Sequence, residues 1–483
     1  MSSKIGVQNI AHTNGTVAAT VASDGDITAS ADLSVTGDIK KITSGTSNFA
    51  AGVNAGNSIA NGGDYNVCVG DEAGTALTTG DKNTLIGYTA GDALIDSSFN
   101  TAVGNNALGA DTKGSRSVAI GHGTLSTQNF TSSTDTYNTA VGFGAGNAIT
   151  TGDHNTLIGG QSGASMSTGT SNTLIGAYSG TSINTAVRNV AIGHQAMYSQ
   201  TDGSNNTYIG WQSGYANNGH NNVAIGWQAL YSGNGSDSCV AIGRGALEVA
   251  TGDSNLAIGY QAGGGLTTGV NNIEIGYQSG TYSTPLQTGG QNILIGNYSK
   301  TSSSSIDYEI VIGYNTSGQG TQTFTFGQGS VDTSIGFGGT GWNAPSDERL
   351  KEDIKDETVG LAFINELRPV TFQWKKEKDI PEDMEGYDKD SDERVMNGKY
   401  NHGFIAQEVK AVIDKYDIKD GLGLWLEAGK DKRQRLAESE LIPFLTKAIQ
   451  ELSAQVTALE TENKTQSTQI ADLISRVTAL ESA

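Results

Sequence analysis

Positive charge is scarce along most of this chain. Its 483 residues carry 29 Lys and Arg against 50 Asp and Glu, a formal net charge of −21. That balance repels phosphates and anionic membrane surfaces, so neither nucleic acid nor membrane insertion is expected. Cysteine is nearly absent. Cys68 and Cys239 stand far apart, in different phases of the repeat described below, and offer neither a disulfide framework nor a metal-ligand spacing. No run approaches the roughly 20 apolar residues that a membrane helix needs. The start, Met1-Ser2-Ser3-Lys4, leads into no apolar stretch, so no secretory leader is expected. There is no Gly-x-Ser-x-Gly and no convincing carboxylate pair, and no cofactor is expected.

What the chain does contain is unevenly spread. Residues 1–345 hold 9 Lys and Arg and 21 Asp and Glu, whereas residues 346–483 hold 20 and 29. Glycine runs the other way, with 59 of 66 before Ser346. Two kinds of protein share one chain. The reading divides it into an N-terminal attachment region (1–47), a repeat shaft or head (48–313), a distal β tip (314–345) and a C-terminal charged domain (346–483) with a coiled coil from about 441. In the first region Val, Ile and Thr alternate around Asp and Gly, from Asp26 to Ile39, which predicts short strands and turns.

The repeat is anchored on an Ile/Val-Gly pair, with glycines at 70, 87, 104, 121, 142, 159, 176, 193, 210, 226, 243, 259, 276, 296 and 313. Of the fourteen spacings, ten are 17 residues, two are 16, and the others are 21 and 20. Four residues before the glycine stands Asn in twelve of fifteen copies, and three after it stands Ala, Ser or Thr in all fourteen copies through Ser299. The alternating residues three and one before the glycine (Thr84 and Ile86, Val190 and Ile192) predict a short strand that turns this pair to a core. Glycine then allows a turn that a Cβ would obstruct. Successive Asn side chains can stack as an amide ladder. A single coil cannot bury its own core, so the coils must stack into a solenoid. The expected fold is therefore mainly β, an elongated parallel β-roll or solenoid of about 17-residue coils, followed by a small α+β domain ending in a coiled coil. Low charge and small outward residues favour a trimeric roll of chains packed side by side; a monomeric β-solenoid is the alternative.

Two coils are longer, with extra residues in about 126–136 and 281–290. Insertions in solenoids bulge from one face and often carry binding. Aromatic residues recur just after the anchor glycine. Tyr88, Phe143, Trp211, Trp227, Tyr260 and Tyr277, with Phe130 in the first insertion, are candidate sugar-stacking residues; coil-to-coil packing is the plainer reading of such a column. The segments Asn-Val-Ala-Ile-Gly (189–193, 222–226) and Ser-Val-Ala-Ile-Gly (117–121) resemble the head repeats of trimeric autotransporter adhesins. That resemblance implies a left-handed parallel β-roll built by three chains.

The border between the two compositions reads Trp342-Asn343-Ala344-Pro345-Ser346-Asp347-Glu348-Arg349-Leu350-Lys351. A serine is a poor nucleophile unless a base takes its proton, and a lysine serves if burial keeps it neutral. The loop after Ser346 must bend Lys351 back for this pair to meet, and Arg349 is expected in an ion pair. Downstream lie Gly360-Leu361-Ala362-Phe363-Ile364-Asn365-Glu366-Leu367-Arg368-Pro369 and His402-Gly403-Phe404-Ile405-Ala406-Gln407-Glu408-Val409. These three segments, in this order, resemble the self-cleaving C-terminal intramolecular chaperone of phage tailspikes and tail fibres of the endosialidase type. The resemblance implies that Ser346 and Lys351 are catalytic and that the Pro345–Ser346 bond is cut, within one chain or across a subunit boundary. His402 is a further candidate, to orient the site or the leaving group.

From Leu445 through Ile449, Leu452, Val456, Leu459, Asn463, Gln466, Ile470, Leu473 and Val477 to Leu480 the spacing alternates 4 and 3, an a/d seam. The whole reads as a homotrimeric phage tail fibre or spike subunit, assembled in the host cytoplasm and carried on the virion tail. Its expected partners are a tail or adaptor protein at the N-terminal end and a host-surface glycan or protein receptor. The rival readings are a glycan-degrading tailspike and a bacterial trimeric adhesin.

Overall fold

The computed structural model describes residues 9–11, 17–21, 27–29 and 45–482, apart from 330, 340–342, 344, 345, 385, 397, 419–421 and 429–431. The chain divides into two units, Met1–Pro345 and Ser346–Ala483. The first opens with an antiparallel sheet of Asn9–Ala11, Val17–Val21 and Ile27–Ala29. The strand reading from Ser30 to Ile39 lies outside the described residues.

From Phe49 the chain winds as a parallel β-solenoid, one short strand per coil, with like positions stacked on like. Thr84 faces Thr101, Leu85 faces Ala102 and Ile86 faces Val103, and the same register runs on to Thr323–Gln328. The anchor glycines make that approach possible. Gly87 adopts φ +137°, and a Cβ there would stand 2.4 Å from the carbonyl oxygen of Gly104 in the next coil. The Asn column is the expected ladder. Asn66 Oδ1 accepts the backbone N–H of Asn83 at 2.9 Å, Asn83 Oδ1 accepts that of Asn100 at 2.9 Å, and Asn83 Nδ2 donates to Ser97 O at 2.9 Å. These amides are buried, so each bond satisfies a group that is costly to leave unpaired. Where Ser117 replaces Asn, Gln128 from the first insertion fills the gap. It donates to Ser117 Oγ at 3.0 Å and accepts from Asn138 Nδ2 at 2.9 Å.

One expectation is reversed. The central residue of each strand, two before the glycine, is the one that enters the coil interior, and its neighbours face outward. Leu85 is fully buried while Ile86 is 37% exposed. The interior is so narrow that its filling follows a volume rule. Where the central residue is large (Leu85, Leu157, Leu174), the residue four after the glycine is Gly91, Gly163 or Gly180. In five coils where it is Ala (Ala102, Ala119, Ala191, Ala224, Ala241), that residue is Leu108, Leu125, Met197, Leu230 or Leu247. Ala140 and Ala257 instead face Gly146 and Gly263, and there Ile149 and Leu266, seven after the glycine, fill the interior, as Leu94, Met166 and Ile183 do beside Leu85, Leu157 and Leu174. All of these large side chains are buried. A Cβ on Gly91 would come within 2.8 Å of both Leu85 Cδ2 and Leu94 Cδ1, so three positions share the interior of a coil.

The insertions are tied down. In the first, Thr134–Asp135 pairs in parallel with Gly114–Ser115. Buried Asp111 accepts from Gln128 Nε2 at 2.6 Å and from the Phe130 N–H at 3.1 Å. Its carboxyl is raised above the usual range by burial, which outweighs these bonds. In the second, Leu286 is fully buried. The repeat also runs one short coil beyond Gly313, since Glu309–Tyr314 pairs in parallel with Thr323–Gln328 before Val331–Gly336 closes the ladder antiparallel.

One interior residue breaks the chemistry but not the volume rule. Glu274 occupies the central strand position opposite Gly280, 1% exposed, with no hydrogen-bond partner for either carboxylate oxygen. Burial pushes its acid up to about 8; the Gly263 amide nearby lowers it in part. Glu309, also buried, differs in receiving N–H bonds from Ser302 at 2.9 Å and Gly320 at 2.6 Å.

The second unit packs three helices, α1 (Leu361–Glu366), α2 (Ala406–Tyr416) and α3 (Ile442–Glu481), with hairpins Val370–Phe372/Asn401–Gly403 and Trp425–Ala428/Arg433–Leu436. Phe363 of α1 is fully buried among Val409, Ile413, Leu424, Leu441 and Phe444. Beyond Ala448 the a/d side chains of α3 have no cover in the single chain, Ile449 at 67% and Leu459 at 58% exposure. No described helix is long and apolar enough to cross a membrane.

Two outcomes follow from this interior. Leu85→Ala should cost about 2–5 kcal/mol in chemical unfolding. Adding Gly91→Leu should not recover that loss, because a Cβ at Gly91 also comes within 2.8 Å of buried Leu94 Cδ1. The acid of Glu274 is raised in the folded state, so its contribution is fully present below about pH 4.5 and lost as pH rises to about 8. Melting curves should therefore show a pH-dependent loss across that window which Glu274→Gln removes.

Candidate functional site

The second unit begins in a bend that the sequence builds from its own side chains. Asp347 caps a 3-10 turn, Glu348–Leu350, by accepting the Arg349 N–H at 2.9 Å. The Arg349 guanidinium returns to the same carboxylate, Nε to Oδ1 at 3.0 Å, and this side-chain bond holds the Asp347 acid below its ordinary range. The turn folds the chain back on itself, so Lys351 Nζ donates to Ser346 Oγ at 2.8 Å. Serine and lysine five apart meet for that reason. Both are exposed in the single chain. Pro345 and Trp342 lie outside the described residues.

The two downstream segments meet each other. Arg368, closing α1, forms a two-pronged ion pair with Glu408 at the start of α2, Nε to Oε2 at 2.9 Å and Nη2 to Oε1 at 2.5 Å. That guanidinium keeps the Glu408 acid low. Lys415 Nζ lies 2.6 Å from Glu366 Oε1, and the Tyr416 hydroxyl donates to the same oxygen at 2.9 Å. The Glu366 acid is lowered, first by the lysine bond and then by the tyrosine. His402 sits exposed in a hairpin opposite Thr371. Among the described residues, no hydrogen bond or ion pair joins His402 to Ser346 or Lys351.

Sequence reasoning missed Glu451. From α3 its Oε2 accepts the Leu361 N–H at 2.8 Å, capping α1 from 90 residues away. The one local signal is Gly360, where a Cβ would crowd Glu451 and Lys447 at 2.8 Å.

Five of the aromatic candidates fall into two pairs and one outlier. Trp211 and Trp227 stack with centroids 5.4 Å apart, and Tyr260 and Tyr277 stack at 4.9 Å. Arg244 lies between the pairs, 4.1 Å from the Trp227 ring and 5.6 Å from Tyr260. These rings turn their faces to one another and their edges outward. Phe130 is buried, 8% exposed, beneath the first insertion.

Residues 346–418 match the family model for the chaperone of endosialidase. The match begins on Ser346, where the second unit begins, and runs through both downstream segments to the end of α2. It gives the C-terminal unit the character of a folding and trimerisation chaperone, and the uncovered seam of α3 is the surface such a role requires. No curated protein and no solved structure matches the chain.

Proposed function

We propose that this protein is a homotrimeric phage tail fibre or spike subunit whose C-terminal unit aligns three chains and then removes itself by cutting Pro345–Ser346. The observation that carries the cleavage is the 2.8 Å contact between Lys351 Nζ and Ser346 Oγ, on the first residue of the chaperone match. With a neutral amine the same contact runs in reverse, the hydroxyl donating to nitrogen. Ser346 Oγ then attacks the Pro345 carbonyl carbon, and its proton passes to Lys351. The C–N bond breaks as the Ser346 nitrogen takes that proton, leaving the acyl group as an ester on Oγ. Water hydrolyses the ester to a Pro345 carboxylate and a free Ser346 hydroxyl.

A lysine works as a base where burial strips its water. Both side chains are exposed in one chain, so burial by neighbouring chains would switch the reaction on only after assembly. The solenoid supports the same oligomer. Its outward strand residues form an apolar column, with Ile86, Ile158, Ile225 and Ile295 each 37–38% exposed, a surface suited to another copy of the coil. The reading puts attachment to the virion at the N-terminal region and contact with a host surface along the rod. The rival reading of a glycan-degrading groove cannot draw on Glu274 and Glu309, which lie inside the coils.

Intact mass spectrometry of the expressed protein tests this. Wild type is expected as pieces of 345 and 138 residues, with Ser346 as a new N-terminus, while Ser346→Ala and Lys351→Ala stay at 483. A wild-type chain that remains whole in a stable trimer would sink the cleavage claim.

A further inference from the structure

Outside the cleavage region, the face of the solenoid just after the anchor glycine carries a column of side chains two residues beyond it. In several coils this column is filled and self-satisfied. Gln212 Nε2 donates to Gln195 Oε1 at 2.8 Å, Gln228 to Gln212 at 2.9 Å, and Gln278 to Gln261 at 3.0 Å. The column is empty at Gly245 and, in two successive coils, at Gly123 and Gly144. Neither glycine of the successive pair is demanded by the backbone. Asn106 and Gln161, on either side, hold the same left-handed conformation with φ +54° and +57°. Nor is either demanded by crowding. A Cβ on Gly123 would meet nothing within 4 Å, and one on Gly144 only Gln161 Cγ at 3.9 Å.

The result is a cavity of about 430 Å³, within the range of small-molecule sites. Its polar lining is the side-chain amides of Asn106, Asn147 and Gln161, the hydroxyls of Ser126 and Ser165 and the His122 imidazole, with no lysine, arginine or carboxylate. Among the described residues those three amides make no side-chain hydrogen bond within the protein, unlike the glutamines of the filled column. The apolar part is Phe143. One face of its ring stacks on His122, centroids 5.4 Å apart. The next coil offers Gly160 where other coils offer a ring, so the second face is uncovered and Phe143 is 60% exposed.

An open aromatic face beside three unpaired amides and two hydroxyls, with no lysine, arginine or carboxylate, suits a ligand that is apolar on one side and rich in hydroxyls at its edge. We propose that this gap binds one unit of an uncharged saccharide, its C–H face on Phe143 and its hydroxyls on the amides. The proposal deepens the attachment reading and rests on it for its biological role; the cavity itself stands on the coil geometry.

The test is saturation-transfer NMR on the assembled full-length protein with the methyl glycosides of glucose, galactose, mannose and N-acetylglucosamine, and with sialic acid as an anionic control. At least one neutral glycoside should receive saturation. The effect should fall about tenfold in Phe143→Ala and in the refilled variant Gly123→Gln/Gly144→Gln, whose melting should match wild type because neighbouring coils already tolerate such side chains. No transfer to any neutral glycoside, transfer to sialic acid alone, or equal transfer in the refilled variant overturns the proposal. Should the protein coat susceptible cells while no glycoside binds, the site falls and the attachment reading stands. Should glycosides bind while the protein coats no cell, the reverse holds.

Discussion

The structure depends on how closely one coil can lie on the next. At each anchor the glycine Cα stands where a Cβ would collide with the following glycine's carbonyl, 2.4 Å away at Gly87 and 2.5 Å at Gly104. That approach brings the short strands into register and sets the Asn amides at hydrogen-bonding distance. It also closes a narrow interior that three positions in each coil fill between them. A strand of three residues has little stability alone; the stack makes it cooperative.

The same uniformity is the fold's weakness. A ladder whose rungs are alike can pair one coil out of step at little local cost, because the anchor, the Asn and the small residue recur in every coil. Departures from the pattern are the only marks of absolute position: Ser117 with Gln128, the two insertions, Tyr208 and Glu274. Three such chains need an outside reference to start level. The second unit offers one, a folded domain with an uncovered helical seam. Once three ladders are aligned the reference has no further task, and under the proposed cleavage its removal would make the assembly hard to reverse.

Much of this was legible in the sequence because it is carried by periodic residues. The glycine spacing gave the coils, the Asn column gave the ladder, and the heptads gave α3. The bend bringing Lys351 to Ser346 was inferred from five residues. The inward face of the strand was not legible. Alternation reveals that a strand has two faces, and here both are apolar, Leu or Ala inside and Val or Ile outside. The information lay elsewhere, in the exchange of volume among Leu85, Gly91 and Leu94 or among Ala119, Leu125 and Gln128, residues spread across a turn. The last coil escaped notice because Gly327 follows Gly313 by 14 residues, and the Glu451 cap because it joins segments 90 apart.

Refolding tests the alignment claim most directly. The liberated 345-residue product and uncleaved Ser346→Ala would each be unfolded in guanidinium, diluted, and examined by light scattering for trimer. The uncleaved chain is expected to regain the trimer and the cleaved product to aggregate or stay monomeric. Equal recovery of native trimer from the 345-residue product would contradict the account, since the coils would then find their register unaided.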